Sequence, residues 1–349
     1  MSPTVLTGKQ VARVCLLLLG LLLLLGFGAL AVGAVSIPLP AVADAVWEAV
    51  TGTPSGLSHE HRTILLAVRL PRVLLAMIVG AALGVAGAGY QALLRNPLAD
   101  PYVLGVSSGA ALGAILSLAF AGRATLATPV AAFVGATLTI TAVYFLGQRG
   151  AELSPYTLLL AGIITASFLS GIVIVLLNFL SGRVLRGFLF WLIGDLSNPP
   201  SLPHLGWLAL ACLLATGVIY GVAAELNLLL GGEAEAQTLG VNVRRTKLLV
   251  YLAASFATGL AVSFSGAIAY VGLLVPHLVR LLFGSDYRLL VPATALTGAV
   301  VLVAADTLAR TVLAPTELPV GAVTAVVGAP VFLYLLRSRV PGRRSGGGV

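Results

Sequence analysis

The run VCLLLLGLLLLLGFGALAVGAV, from Val14 to Val35, contains no charged residue. A helix needs about 20 apolar residues to cross the hydrocarbon core of a bilayer, so this run predicts a membrane-spanning helix. It follows Lys9 and Arg13 and lacks a clear small-residue cleavage site. These features favour a retained first span over a secretory signal peptide.

The composition of the whole chain agrees with a membrane protein. Of its 349 residues, 59% are hydrophobic and 9% are charged, whereas a soluble domain carries about 25% charged residues. The net charge is +8, but the basic residues flank apolar segments. That placement indicates contact with anionic lipid and a cytoplasmic bias rather than binding of nucleic acid. The two cysteines, Cys15 and Cys212, lie in apolar runs and predict buried free thiols rather than a disulfide framework.

Ten apolar segments are candidate spans, which predicts an all-α polytopic protein with both termini on one side of the membrane. They cover residues 14–35, 66–93, 103–120, 125–147, 156–180, 203–222, 246–265, 268–283, 289–312 and 319–337. A cytoplasmic placement of the termini puts thirteen of the 20 basic residues inside. We expect 268–283 to be a half-helix and 183–197 to be interfacial or re-entrant. Residues 1–340 form one predicted domain, followed by a flexible tail over 341–349.

Small residues at four-residue spacing predict closely packed helices. Such spacing places them on one helix face, where two backbones can approach. The pattern occurs at Gly80 and Gly84, at Gly105, Gly109 and Gly113, and at Gly217 and Gly221.

The sequence contains no motif for several classes of chemistry. There is no G-x-x-x-x-G-K-[ST] phosphate loop, so we expect no ATP hydrolysis by this chain itself. We find no catalytic or metal-ligand cluster, and we expect His59 and His61 to lie in a solvated polar loop. Asp306 precedes Arg310 by four residues, which allows an ion pair along one helix.

The segment AAELNLLLGGEAEAQTLGVNVRRTK, residues 223–247, is cytoplasmic in the predicted topology. Gly231 and Gly232 break one helix, and Glu233 to Leu239 predicts a short helix with acidic residues in its first turn. Gly240 can cap its C-terminus. This coupling segment, about 231–242, is either a docking knob for a partner or an ordinary connecting loop.

Several long motifs carry a family resemblance from Arg69 to Arg337. They include RLPRVLLAMIVGAALGVAG (69–87), YQALLRNPLADPYVLGVSSGA (90–110), EAEAQTLGVNVRR (233–245) and SGAIAYVGLLVPHLVRLLFG (265–284), with ADTLARTVLAPTELPVGAVTAVVGAPVFLYLL (305–336) closing the match. With these runs the chain resembles the FecCD-type permeases, which serve ABC importers for vitamin B12, ferric siderophores and haem.

The resemblance implies a type II importer permease fold of ten spans in the bacterial cytoplasmic membrane. It implies a homodimer with the translocation path along the two-fold axis. Two cytoplasmic ATPase subunits would use ATP and Mg, while this chain would bind no cofactor. A periplasmic or lipid-anchored binding protein would deliver the substrate from outside.

The resemblance also implies roles for individual residues. The arginines that would dock the binding protein at the outer mouth are Arg69, Arg72 and Arg310. A local alternative is that Arg310 pairs with Asp306 and that the RLPR motif only anchors a helix. The residues that would couple to the ATPase are Glu233, Ala236, Leu239 and Gly240. The residues that would form the gate and translocation path are Asn96, Leu98, Ser154, Pro155, Ser167 and Phe168.

The rival interpretations are an ion-coupled secondary transporter that acts without an ATPase and a membrane-embedded enzyme. The scarcity of intramembrane acids disfavours the carrier, and the lack of a polar catalytic cluster disfavours the enzyme. The motifs do not distinguish the cargoes of the family. The absence of a haem-ligand pair in the spans favours a siderophore or cobalamin.

Overall fold

The computed structural model of the chain describes residues 7–33, 35–54, 56–120, 127–149 and 152–338. Helices occupy all ten predicted span positions. In chain order, with the shorter helices between them, they are α1 Gly8–Ala31, α2 Leu39–Thr51, α3 His59–Arg62, α4 Leu70–Leu93, α5 Val106–Phe120, α6 Ala127–Gly147, α7 Pro155–Leu177, α8 Gly182–Ile193, α9 Leu202–Gly221, α10 Ala223–Leu229, α11 Glu233–Thr238, α12 Val243–Ser265, α13 Val271–Phe283, α14 Tyr287–Thr311 and α15 Val320–Ser338.

Seven stretches are long and apolar enough to cross a membrane, and these are α1, α3 to α4, α6, α7, α9, α12 and α14. Helices α5, α13 and α15 are apolar but shorter. The all-helical polytopic fold is therefore confirmed. The number of crossings and the side on which the termini lie stay predictions, and the predicted tail over 341–349 lies outside the described residues.

The segments that are not regular α-helix are short. A π-helical segment, Thr63–Arg69, joins α3 to α4, and a 3-10 turn, Pro101–Leu104, precedes α5. Gln148–Arg149 and Glu152–Leu153 form a two-residue antiparallel pair between α6 and α7. Helix α8 occupies the segment predicted to be interfacial. His59 and His61 lie in α3 rather than in the loop that we expected, because Ser58 caps this turn by accepting a hydrogen bond from the His61 amide at 3.2 Å.

Helices α4, α12 and α14 form the centre of the bundle. In their most apolar stretches 50%, 67% and 61% of the residues are buried, against 17% in α7 and 22% in α1. All of these helices are apolar, so their burial reflects how many neighbours each one packs against. Helix α7 therefore presents most of its surface outward from the single chain.

Glycines set the closeness of packing at the centre. A Cβ on Gly80 would lie 2.3 Å from the carbonyl oxygen of Gly298, and one on Gly84 would lie 2.5 Å from that of Thr294. The predicted close contact of the first glycine pair is thus confirmed, and it joins α4 to α14.

The other glycine predictions have mixed outcomes. Gly109 and Gly113 pack against α6, where added Cβ atoms would lie 2.6 Å and 2.0 Å from the carbonyl oxygens of Gly135 and Ala131. For Gly217 and Gly221 the prediction is wrong in the single chain, since a Cβ at either would meet no described atom within 4 Å. Their face of α9 has no neighbouring helix there.

Candidate functional site

The coupling segment contains the short helix predicted from its sequence. Helix α11 begins after Gly232, at φ 133°, and ends at Thr238, with Leu239 as its C-cap. Gly240 has φ 86° and donates its amide to the Gln237 carbonyl at 3.0 Å. The Val241 amide donates to the Ala236 carbonyl, also at 3.0 Å. This pair of bonds is a Schellman motif, so the predicted cap at Gly240 is confirmed.

The same segment is firmly seated and has an exposed apolar tip. Ala236 is fully buried, while Leu239 is 60% exposed. Glu233 and Lys247 form an ion pair at 2.6 Å, which ties the start of α11 to helix α12. An exposed leucine on a rigid, capped turn is the shape that a docking knob requires.

The predicted gate residues lie at helix boundaries. Helix α4 ends at Leu93, and the Asn96 side chain accepts a hydrogen bond from the Leu98 amide at 2.9 Å, closing a tight turn around Pro97. Leu98 is 45% exposed. The predicted break of the helix near Pro97 is therefore confirmed.

The second predicted break, at the start of α7, is also confirmed. Pro155 is the first residue of the helix, and the Ser154 hydroxyl accepts from the Thr157 amide at 3.4 Å as an N-cap. No hydrogen bond among the described residues joins Ser154 or Pro155 to the turn at Asn96. The gating role of both places stays a prediction.

The path residues predicted on α7 lie on its open surface. Phe168 is 67% exposed, and Ser167 is exposed with its hydroxyl bonded to the Ile163 carbonyl of its own helix at 2.9 Å. A hydroxyl that is satisfied within the helix leaves a weakly polar surface. This face could line a path only if another element covered it.

Polar side chains that the sequence reasoning missed connect α10, the helix just before the coupling segment, to the turn at residues 96–98, which we name the gate turn. Asn227 of α10 donates to Asp286 at 2.7 Å and accepts from the Tyr287 amide at 2.8 Å. The Tyr287 hydroxyl lies 3.1 Å from Arg280, whose guanidinium also donates to the Gln91 amide oxygen.

Gln91 completes this series of bonds, which we name the relay: Asn227, Asp286, Tyr287, Arg280 and Gln91. The Gln91 amide nitrogen contacts the carbonyl of Ala99, beyond the gate turn, at 3.5 Å and that of Leu273 at 3.2 Å. Its signal in the sequence was a glutamine within an apolar span, where polar residues are rare and usually have a role.

One acid of the relay lies outside the spans and has a shifted pKa. Hydrogen bonds from the Arg288 side chain, assisted by one from Asn227, lower the pKa of Asp286 to about 2. Asp286 is therefore ionised at neutral pH, and it accepts the Arg288 amide at 3.0 Å at the start of α14.

The three arginines predicted to dock a binding protein are buried in the single chain. Arg69, Arg72 and Arg310 are 5%, 4% and 5% exposed. Asp306 lies between two of them, 2.9 Å from Arg72 Nε and 3.0 Å from Arg310 Nε. The predicted ion pair along α14 is thus confirmed.

The C-terminus of α1 explains why these arginines are buried. Arg69 donates to the carbonyl of Leu30 at 2.7 Å and to those of Ala31 and Val35, and Arg310 donates to the Ala29 carbonyl at 3.2 Å. Cationic side chains suit a helix C-terminus, whose last carbonyls lack partners within the helix. The geometry favours the local alternative, and a docking role stays a prediction.

The described residues contain no group of three or more His, Cys, Asp or Glu side chains that could hold a metal ion. The polar features of the site are therefore the capped coupling segment, the relay, the gate turn and the arginine cluster. Together these features suit contact with partner proteins and movement of helices relative to one another.

Comparison with known proteins gives one consistent result. The model of the FecCD transport family matches residues 21–338. The cobalamin import system permease protein of Halobacterium salinarum is 45% identical over 285 residues, covering 81% of this chain and 76% of its own. The hemin transport system permease protein of Yersinia pestis is 42% identical, covering 91% of this chain and 93% of its own.

A solved structure agrees with these relatives. It is that of a metal-chelate type ABC transporter in an inward-facing conformation, and it aligns with a TM-score of 0.81 at 29% identity. The alignment covers 94% of this chain and 99% of the other.

Proposed function

This chain belongs to the FecCD transport family, and from that premise we propose that it is the permease of an ATP-driven importer for a large metal chelate. The cargo class is a ferric siderophore, cobalamin or haem. The relatives above carry cobalamin and hemin according to their names, and the solved relative is of the metal-chelate type. The location that suits this function is a bacterial cytoplasmic membrane.

The conduit forms between two copies of the chain. Helix α7 is the least buried of the seven candidate spans, with 17% of its most apolar stretch covered, and it carries the predicted path residues Ser167 and Phe168. A second copy facing this surface would enclose an apolar, weakly polar channel. Such a wall lets a bulky chelate pass without holding it tightly, since it offers few hydrogen bonds.

The energy of ATP hydrolysis reaches the permease through the coupling segment. Two cytoplasmic ATPase subunits, which use ATP and Mg, would each seat one α11 with Leu239 at its tip. The relay then provides a physical connection from α10 to the Ala99 carbonyl beyond the gate turn. The chain itself performs no covalent chemistry and binds no cofactor.

Substrate arrives at the opposite face from a periplasmic or lipid-anchored binding protein. The buried arginine cluster shapes this outer face by holding α1, α4 and α14 together. Glu317, which pairs with Arg72 at 2.6 Å and is 47% exposed, is the most accessible member of the cluster. Direct docking on Arg69, Arg72 and Arg310 would require these side chains to leave their present partners.

The observation that carries this proposal is the capped coupling segment with its exposed Leu239 and its bonds to the rest of the chain. The test is uptake of radiolabelled cargo into proteoliposomes that contain the chain with its binding protein, with and without the ATPase. We expect accumulation only with the ATPase and ATP. Accumulation driven by an ion gradient with no ATPase present would establish the secondary-carrier alternative instead.

A further inference from the structure

A cleft opens at the end of the bundle where α4 and α13 finish. Its volume is about 330 Å3, and the residues that matter here are Arg95, Asn96, Leu229, Leu230, Arg280 and Ser285. Helix α4 ends at Leu93 and α13 at Phe283. In a membrane protein such apolar helices end near the headgroup level, so the cleft lies at that depth.

Two positive charges line this cleft without an acidic partner. Within the described part of the chain no carboxylate lies within 4.0 Å of Arg95 or Arg280, whereas Asp286 pairs with Arg288 and Glu233 pairs with Lys247. Among the described residues, the side-chain hydrogen bonds of the Arg280 guanidinium go to the uncharged Gln91 and Tyr287. The cleft therefore has an excess of positive charge that an anion would neutralise.

The backbone at Arg95 adds an independent observation. The Asn96 amide donates to the Gln91 carbonyl and the Arg95 amide to the Ala92 carbonyl, both at 3.2 Å, which is a Schellman motif. Arg95 occupies the left-handed position of that motif at φ 49°, where glycine is usual. A strained arginine indicates that the side chain serves a purpose that glycine could not.

Three leucines lie in the apolar part of the cleft wall, beside polar residues such as Asn96 and Ser285. Leu226 and Leu229 are buried, and Leu230 is 54% exposed at the rim. Arginine forks bind phosphate oxygens in pairs, and basic pockets at the cytoplasmic ends of spans bind lipid headgroups. A free inorganic anion would gain nothing from Leu230, whereas the glycerol and upper acyl region of a phospholipid would cover this exposed side chain.

We propose that this cleft binds the phosphate of one anionic phospholipid of the inner leaflet, held by Arg95 and Arg280 and flanked by Leu230. The inference rests on the orientation in the proposed function, which puts this end of the bundle in the cytoplasm. Because Arg280 also belongs to the relay, a bound lipid would contact the series of bonds that joins α10 to the gate turn.

The test uses the full chain in nanodiscs of phosphatidylcholine with and without phosphatidylglycerol. Native mass spectrometry after release into mild detergent counts retained lipids. We expect one phosphatidylglycerol per chain, and about a tenfold weaker retention in Arg95→Gln, the loss of one good charged contact. Arg245→Gln is the matched control, since Arg245 is exposed at the same end and does not line the cleft.

Arg95→Gly separates binding from folding. Glycine suits the left-handed position, so this variant should keep or raise the thermal unfolding midpoint while losing the lipid. Equal retention of phosphatidylglycerol by the wild type, Arg95→Gln and Arg95→Gly would overturn the proposal. Displacement of the lipid by millimolar inorganic phosphate alone would also overturn it, because the site would then be one for a free anion.

A third contrary result would reassign the cleft to a protein partner. This result is loss of ATPase copurification in Arg95→Gln with unchanged lipid retention. Lipid counting needs neither ATPase nor cargo, so failure of this inference is distinguishable from failure of the proposed transport function.

Discussion

Arg72 Nε donates to Asp306 Oδ1 at 2.9 Å and thereby joins α4 to α14 between two buried side chains. The other Asp306 oxygen lies 3.0 Å from Arg310 Nε. The Asp306 carboxylate thus pairs with two buried guanidinium groups, and Glu317 pairs with Arg72 as well. Removing one partner of a buried pair leaves an uncompensated charge, which costs much more than the loss of a surface pair.

We therefore expect Asp306→Asn to lower the free energy of unfolding by about 3–5 kcal/mol. Chemical unfolding in detergent measures the change. Asp44→Asn, at an exposed position of α2, is the control and should stay within about 0.5 kcal/mol of the wild type. A similar small effect of both substitutions would show that the cluster is not a stabilising centre.

The double substitution Arg69→Glu and Arg310→Glu distinguishes docking from structure. Both side chains bond carbonyls at the end of α1, so we expect the double variant to lose most of its monodisperse yield in size-exclusion chromatography. The docking role that the family resemblance implies would instead give loss of uptake with an intact fold and ATPase complex. That outcome would establish the docking role and refute the structural one.

Replacing the exposed tip of the coupling segment should weaken the ATPase complex. Leu239→Glu places a charge on a 60% exposed apolar contact and should cost about 1–3 kcal/mol of binding, as for one of the minority of interface residues that contribute most to affinity. Copurification with the ATPase measures this loss. Leu239→Met keeps the apolar volume and should bind normally; equal binding by both variants would remove Leu239 from the interface.

From the relay we predict that breaking its bonds uncouples transport from ATP hydrolysis without preventing assembly with the ATPase. Gln91→Leu removes the contacts to Arg280, Ala99 and Leu273, and it should reduce cargo moved per ATP by about 5- to 150-fold, a coupling energy of about 1–3 kcal/mol. Gln148→Leu, at a glutamine without a side-chain bond among the described residues, is the control. If Asn227→Leu and Gln91→Leu act in series, the double variant will be no worse than the more impaired single one.

Close backbone contact at Gly80 predicts a large effect from one methyl group. Gly80→Ala would place Cβ 2.3 Å from the Gly298 carbonyl oxygen, and overpacking of this kind costs about 1–3 kcal/mol. Gly217→Ala, which meets no described atom within 4 Å, should be neutral or up to about 1 kcal/mol stabilising through helix propensity. Thermal unfolding compares the two variants, and equal midpoints would contradict the packing argument.

The sequence predicted the helices well because apolar run length is a local property. The start of α7 at Pro155 and the cap at Gly240 followed from proline and glycine chemistry in the same way. The burial of each helix could not be predicted from hydropathy, since α7 has the higher mean hydropathy, 2.5 against 2.0 for the stretch with α4, and is the less buried.

The arginines show the same limit at the site. The local alternative for Arg310 rested on its four-residue spacing from Asp306, and that pair was confirmed at 3.0 Å. The bonds from Arg69 to the end of α1 span 39 and 38 residues of sequence, and no local pattern reports them. The relay was missed for the same reason, because its directly bonded members lie up to 189 residues apart.

The interlocked glycines also divide the molecule into a part that can move and a part that cannot. Where a backbone rests directly on its neighbour, as α4 does on α14 at Gly80 and Gly298, there is no side chain that could change rotamer to accommodate sliding. These two helices must therefore move together as one rigid unit. In the proposed transport cycle, opening and closing of the pore would therefore fall to helices outside this pair, with α4 and α14 as the frame against which they move.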